Sequence, residues 1–426
     1  MTAMTIGVVC LVAVLLLILI RVPIAVSLLS VSFVGIYSII GLTPALSMLT
    51  NVPYSFAASW TLSSVPMFLL MGYIAYHSGL TRGMFEAARA WLGWMPGGLA
   101  VASLCGAGGF AAVTGSSIAC SAAIGRIAVP EMHRQGYDIR VATGSVAAGG
   151  TIGALIPPSI LLILFGIQAE VSITKLFLGG LIVGVISLGL YIGAVLVVYF
   201  LAPARMPRAA HSTRQERIDA IKEVWPVVLM IGIVFGGLFS GIFTATEAGA
   251  VGAVIAALIG LARGKLSKTA FQESCMDTLL SSGSLFMIAI GANLFTRLVS
   301  LSGLTNAIGS GIESLGFGIL GILILITLIY LVLGMFLEPI GAMLLTLPLF
   351  LPLMNVHGVN EIWFGILVAK LLEIGMITPP VGLNVFVIHS VAREYVKLEQ
   401  IFAGVMPFLI ADILLVIGML ATRSLF

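Results

Sequence analysis

The chain predicts an all-α polytopic membrane protein made of two inverted repeats of five crossings, each repeat carrying a re-entrant hairpin and a helix broken by a proline pair. Three observations lead there. Hydrophobic residues make up 60% of the 426 and charged residues only 9%, with a mean hydropathy of +1.19, whereas soluble domains carry about 25% charged residues. Apolar runs near the ~20 residues that a hydrocarbon core asks of a helix recur along the whole chain. Finally, IGALIPP at Ile152–Pro158 returns as IGMITPP at Ile374–Pro380, 222 residues later. Ser78-Gly79-Leu80 returns likewise as Ser302-Gly303-Leu304, and Val129-Pro130-Glu131-Met132 is answered by Leu351-Pro352-Leu353-Met354.

Ten runs read as crossings, at roughly 5–20, 22–41, 55–78, 141–168, 176–200, 224–243, 247–262, 274–299, 361–389 and 401–422. The first has no basic residue before it and no small-residue cleavage site after it, so a retained helix is expected and not a signal peptide. Two further stretches, 98–130 and 316–353, are too long for one crossing. Halved, they give arms of ~22–27 Å, short of a comfortable span. They read as re-entrant hairpins with tips at Thr114-Gly115-Ser116-Ser117 and Leu337-Glu338-Pro339. Five crossings per half is an odd number, which inverts one repeat relative to the other. The expected units are a first repeat over 1–201, a cytoplasmic linker over 202–223 and a second repeat over 224–426.

Basic residues test this topology, because Lys and Arg collect on the cytoplasmic side. With both termini periplasmic, all but Lys175, Arg297, Lys370 and Arg423 of the 20 Lys and Arg fall in cytoplasmic loops, the linker or a hairpin base. The net charge of +3 therefore serves topology, and nothing points to nucleic acid. The 49 glycines suit closely packed membrane helices. Cys10, Cys105, Cys120 and Cys275 lie in apolar runs without metal-type spacing and read as packed thiols.

Chemistry is expected at the breaks. Proline removes an N–H and clashes with the preceding turn, and the freed backbone is tolerated in a membrane only where protein or a wet cavity surrounds it. Matching breaks in two halves point to the midplane site of a secondary transporter. Each hairpin tip is accordingly paired with a break, Ala112–Ser117 with Gly153–Ser159 and Gly334–Pro339 with Gly375–Asn384. Helix N-termini there attract carboxylates, and carbonyls and hydroxyls suit Na⁺. Thr114, Ser159, Glu338 and Asn384 are the residues expected to meet substrate. Among intramembrane charges, which are costly and so functional candidates, Lys370 and Glu373 share a helical face and could pair with each other. Interfacial or packing roles are equally open for Glu247, Asp412 and Arg297. His77 and His389 read as solvated caps. No His-Glu-x-x-His, Walker A or serine-hydrolase motif is present. An enzyme is not expected, and an intramembrane hydrolase using Ser116 or Ser117 lacks an obvious histidine.

Four segments carry a family resemblance: AAVTGSSIACSAAIGRIAVPEM (111–132), GGTIGALIPPSILLIL (149–164), GMFLEPIGAMLLTLPLFLPL (334–353) and EIGMITPPVGLNVFVI (373–388). The chain resembles the large membrane (DctM-type) subunit of tripartite ATP-independent periplasmic (TRAP) transporters, in the ion-transporter superfamily. The resemblance implies an elevator mechanism in the bacterial inner membrane, with Na⁺ as coupling ion, no organic cofactor and a small carboxylate such as a C4-dicarboxylate or sialic acid as cargo. It also implies a small four-helix membrane subunit and a periplasmic substrate-binding protein as partners. The family's ion sites would fall at Ser116, Ser117, Gly153 and Ile156 in the first half and at Gly334, Gly375, Thr378 and Val381 in the second, several through backbone carbonyls. The alternative is a self-sufficient Na⁺/carboxylate symporter of the same superfamily.

Overall fold

The computed structural model describes residues 2–207, 212–314, 316 and 318–423; Arg208 of the basic census and the last three residues lie outside them. Among the described residues every regular element is helical. The first half runs α1 (Ala3–Leu19), α2 (Ile24–Ile40), α3 (Leu42–Ala57), α4 (Ser64–His77), α5 (Arg82–Leu92), α6 (Gly98–Thr114), α7 (Ser117–Arg134), α8 (Ile139–Thr151), α9 (Ile160–Gln168) and α10 (Ile173–Leu201). The second runs α11 (Arg214–Phe239), α12 (Ala245–Ala262), α13 (Lys268–Ser302), α14 (Leu304–Ser314), α15 (Ile319–Phe336), α16 (Pro339–Val356), α17 (Glu361–Gly375), α18 (Leu383–Val391) and α19 (Leu398–Ala421).

Seven of these, α10 to α13, α15, α16 and α19, are long and apolar enough to cross a hydrocarbon layer, and α3 and α4 form a pair bent by 58°. The elements follow one order in both halves, each with two helices meeting at a tip and then two shorter ones flanking a Pro-Pro break.

Several boundaries differ from the sequence reading. The segments at α3, α5 and α14 were expected as loops. They are helices with one apolar face, as where α5 buries Met84, Phe85 and Ala90 against α6 and α11; averaging hydropathy over both faces hides such an element. Helix α11 starts inside the expected linker, because Thr213 and Glu216 form a capping box with bonds of 2.8 and 3.2 Å. Helix α13 has 35 residues, ~52 Å at 1.5 Å per residue, well beyond a bilayer core. Helices α15 and α16 have 18 residues each, ~27 Å at 1.5 Å per residue, the upper end of the arm length that halving the run gives, and both are apolar enough for a membrane. What marks α16 is burial in protein along most of its length.

Two groups of helices result. In one, α2 packs on α13 and α4 on α12; in the other, α8 packs on α19, α10 on α17, α6 on α8 and α15 on α17. The groups touch through α4 with α6 and α13 with α16. Small residues permit the tightest crossing, since a Cβ on Gly144 of α8 would overlap the Gly404 backbone of α19. The four cysteines are free.

Candidate functional site

Each break is built by the same chemistry. Helix α8 ends at Thr151 and passes into a tight turn at Ile152–Ala154. Pro157 and Pro158 offer no N–H, so α9 begins only at Ile160, with the Ser159 hydroxyl accepting from the Leu162 N–H at 3.2 Å. In the second half α17 ends at Gly375 and α18 resumes after Pro379, Pro380 and Gly382.

A hairpin tip packs backbone to backbone against each break. A Cβ on Gly153 would lie 3.1 Å from the Ser117 Cα and N, and one on Gly115, which turns the first tip at φ +61°, would overlap the Pro158 carbonyl oxygen. At the second tip, a Cβ on Gly375 would overlap the Gly334 backbone, and the Gly382 N–H donates to the Met335 carbonyl at 3.4 Å. Only glycine allows such approaches. Ser116 caps α7 by accepting from Ala119 at 3.4 Å, and Glu338 caps α16 by accepting from Gly341 at 3.0 Å.

Between the tips lies a cavity of about 70 Å³, lined in part by Ser116, Ser117, Ala154, Glu338, Glu373 and Met376. Glu373 is only 1% exposed. Its Oε2 and the Ser117 Oγ have no hydrogen-bond partner among the described residues. A buried carboxylate oxygen with no donor is costly, and a cation or proton in that cavity would satisfy it. A larger cavity of about 190 Å³ adjoins at Ser116, where Tyr73, Tyr76 and Phe110 face Thr114.

The expected residues divide between these places. Ser116, Ser117 and Glu338 line the small cavity, Gly153 backs it, and Ile156 is buried beyond the first turn. Thr114 lines the larger one, its hydroxyl donating to the Phe110 carbonyl at 3.1 Å. The Ser159 hydroxyl is engaged as a cap. Thr378 donates to the Ile374 carbonyl at 2.7 Å, Val381 is half-buried, and Asn384 is fully buried with neither side-chain polar atom bonded. Thr378, Val381 and Asn384 do not line the small cavity.

The charges pair differently from the expectation that Lys370 meets Glu373. Lys370 Nζ lies 2.6 Å from Asp412 Oδ1, and the Tyr191 hydroxyl donates to Asp412 Oδ2 at 2.8 Å. All three side chains are fully buried. Tyr191 was not singled out, although an aspartate in mid-crossing signals the need for a partner. His77 is no solvated cap: it is 2.8 Å from Asp277 and 3.4 Å from Glu273, tying α4 to α13. Glu247 closes a capping box with Thr244, and Arg297 is exposed.

Residues 11–425 match the sequence profile of the family described as "Tripartite ATP-independent periplasmic transporter, DctM component". A Pseudomonas aeruginosa protein named C4-dicarboxylate TRAP transporter large permease protein DctM is 36% identical over 371 residues, covering 83% of this chain and 84% of that protein. A Vibrio cholerae sialic acid TRAP transporter large permease protein is 29% identical over 88% of this chain and 89% of its own length. Among solved structures, the Alcanivorax borkumensis YdaH transporter, described as having an unusual topology, superposes with a TM-score of 0.67 at 15% identity over 90% of both chains. That likeness is one of fold.

Proposed function

The chain belongs to the DctM components of tripartite ATP-independent periplasmic transporters, and we propose that it is the Na⁺-coupled permease of an importer for a small organic anion. The observation that carries the proposal is the pair of tip-to-break contacts flanking a cavity that holds the buried Glu373, whose Oε2 lacks a close hydrogen-bond donor, and Ser117. Ser116, Ser117 and the backbone near Gly153 and Ile156 would hold one ion; the backbone near Gly334, Gly375 and Val381 with the Thr378 hydroxyl would hold another. Bound there, Na⁺ supplies the positive charge that Glu338 and Glu373 lack, and without it two buried carboxylates repel an anionic substrate.

Thr114 and Asn384 are then the polar side chains left to meet cargo, Ser159 being engaged in its cap. Cargo is a C4-dicarboxylate, sialic acid or a similar acid, the anions in the names of the relatives. In this reading α6–α10 and α15–α19 move as one body against α1–α4 and α11–α13, in a bacterial inner membrane, with the two halves as inverted repeats and both termini periplasmic. A small membrane subunit and a periplasmic binding protein complete the system, the binding protein choosing the substrate.

Reconstitution tests this. Proteoliposomes holding the chain, its small subunit and its binding protein should take up the anion under an inward Na⁺ gradient and stop when K⁺ replaces Na⁺. Uptake indifferent to the cation overturns the coupling, and robust uptake by the lone chain favours a self-sufficient symporter.

A further inference from the structure

The two breaks are far apart in sequence, yet one buried polar chain joins α8 and α17, the helices that lead into them. Thr151, the last residue of α8, stands directly before the first break. Its Oγ1 donates to the Ala148 carbonyl at 2.7 Å and lies 3.0 Å from the Tyr191 hydroxyl on α10. Tyr191 donates to Asp412 Oδ2 on α19 at 2.8 Å. Asp412 Oδ1 is 2.6 Å from Lys370 Nζ on α17, the helix that ends in the second break, and Lys370 also donates to the Tyr191 hydroxyl at 3.3 Å. Thr151, Tyr191 and Lys370 are 0% exposed and Asp412 1%. The Tyr191 ring is held between the edge of Phe408, 5.5 Å away, and Lys370 Nζ at 5.2 Å.

None of these groups can move alone. Withdrawing Lys370 leaves Asp412 charged and unpaired in the interior, and turning Tyr191 strips bonds on both sides at once. A chain with so few satisfied arrangements shifts as a unit. Thr151 and Lys370 belong to different halves: Thr151 immediately precedes the first break, and Lys370 lies on α17 five residues before that helix ends at Gly375.

We propose that Thr151, Tyr191, Asp412 and Lys370 are positioning residues that couple the two breaks, so that ordering one around its ion favours ordering the other. This rests on the sodium reading above. Coupling of this kind is reciprocal between the sites and shows as a Hill coefficient above 1, at most about 2 for two sites.

Equilibrium binding of radioactive Na⁺ to the purified chain, with choline chloride holding ionic strength, tests it, and melting temperature checks that each variant folds. Wild type should bind with a Hill coefficient above 1. Tyr191→Phe keeps the ring and deletes the hydroxyl, and should bring the coefficient to about 1 while raising the Na⁺ midpoint. Thr151→Val should do the same, and Thr151→Ser should keep the wild-type value. A merely structural role would lower the melting temperature and leave the coefficient unchanged. If Tyr191→Phe fails to fold, Thr151→Val decides, because it leaves the ion pair intact. A wild-type coefficient retained in the folded variant, or non-cooperative binding by wild type, overturns the coupling alone. Absence of Na⁺ binding in wild type overturns the sodium reading, and the coupling with it.

Discussion

Lys370 shows how burial converts a charge into a constraint. Its ammonium sits against Asp412 with no water to fall back on. Asp412→Asn should therefore cost about 3–5 kcal/mol, read from thermal or denaturant melts of the purified chain, because it strands a buried cation. The double change Lys370→Met with Asp412→Leu should cost far less than the sum of the single ones, since it removes both charges. Glu373 behaves oppositely: its Oε2 has no partner to lose, so Glu373→Gln should leave the melting temperature unchanged or raised. If it faces a cation, the same substitution should raise the half-saturating Na⁺ by roughly tenfold, about 1.4 kcal/mol. Sequence spacing singled out both residues and then paired them with each other, because three residues apart on a helix is the nearest geometry in one dimension. The partner lay on α19, which no local spacing reveals.

At the scale of elements, the hairpin and the broken helix are complementary because glycines meet at their contact. Gly375→Val should drive α15 off the second break, costing about 1–3 kcal/mol from overpacking and abolishing uptake. Gly193 on α10 is the control, since a Cβ there meets nothing within 4 Å; Gly193→Ala should be neutral or stabilise the helix by about 0.5–1 kcal/mol. Equal losses at both positions would show that the tip contact is not special. The breaks themselves were legible, because two prolines in an apolar run have one structural meaning. The amphipathic helices α3, α5 and α14 were not, since their apolar residues are diluted by polar ones on the other face.

For the molecule as a whole, the distribution of Arg and Lys supports an orientation that labelling can check. A cysteine placed at Ser212 should react with an impermeant thiol reagent only after the cytoplasmic side is opened; labelling from outside would refute the inverted arrangement. In the proposed reading, function at this scale is conditional on partners, and the expected result is that the lone chain under an inward Na⁺ gradient moves no anion. Uptake appearing only when the small subunit and binding protein are added would support that assignment.

What the sequence determined by itself is what composition and covalent chemistry dictate locally: a polytopic helical membrane chain, two halves of like order, the positions of two proline breaks and the family to which their motifs belong. Tertiary structure alone decided which polar groups meet. Glu373 came to lie beside Ser117 and Glu338 in one small cavity, while Lys370 joined Asp412 and Tyr191 across three helices. The physical reason is that hydrophobic burial is non-directional and readable from any window of sequence. Pairing a buried charge is a problem of distance and angle, and its solution depends on helices that the chain brings together only on folding.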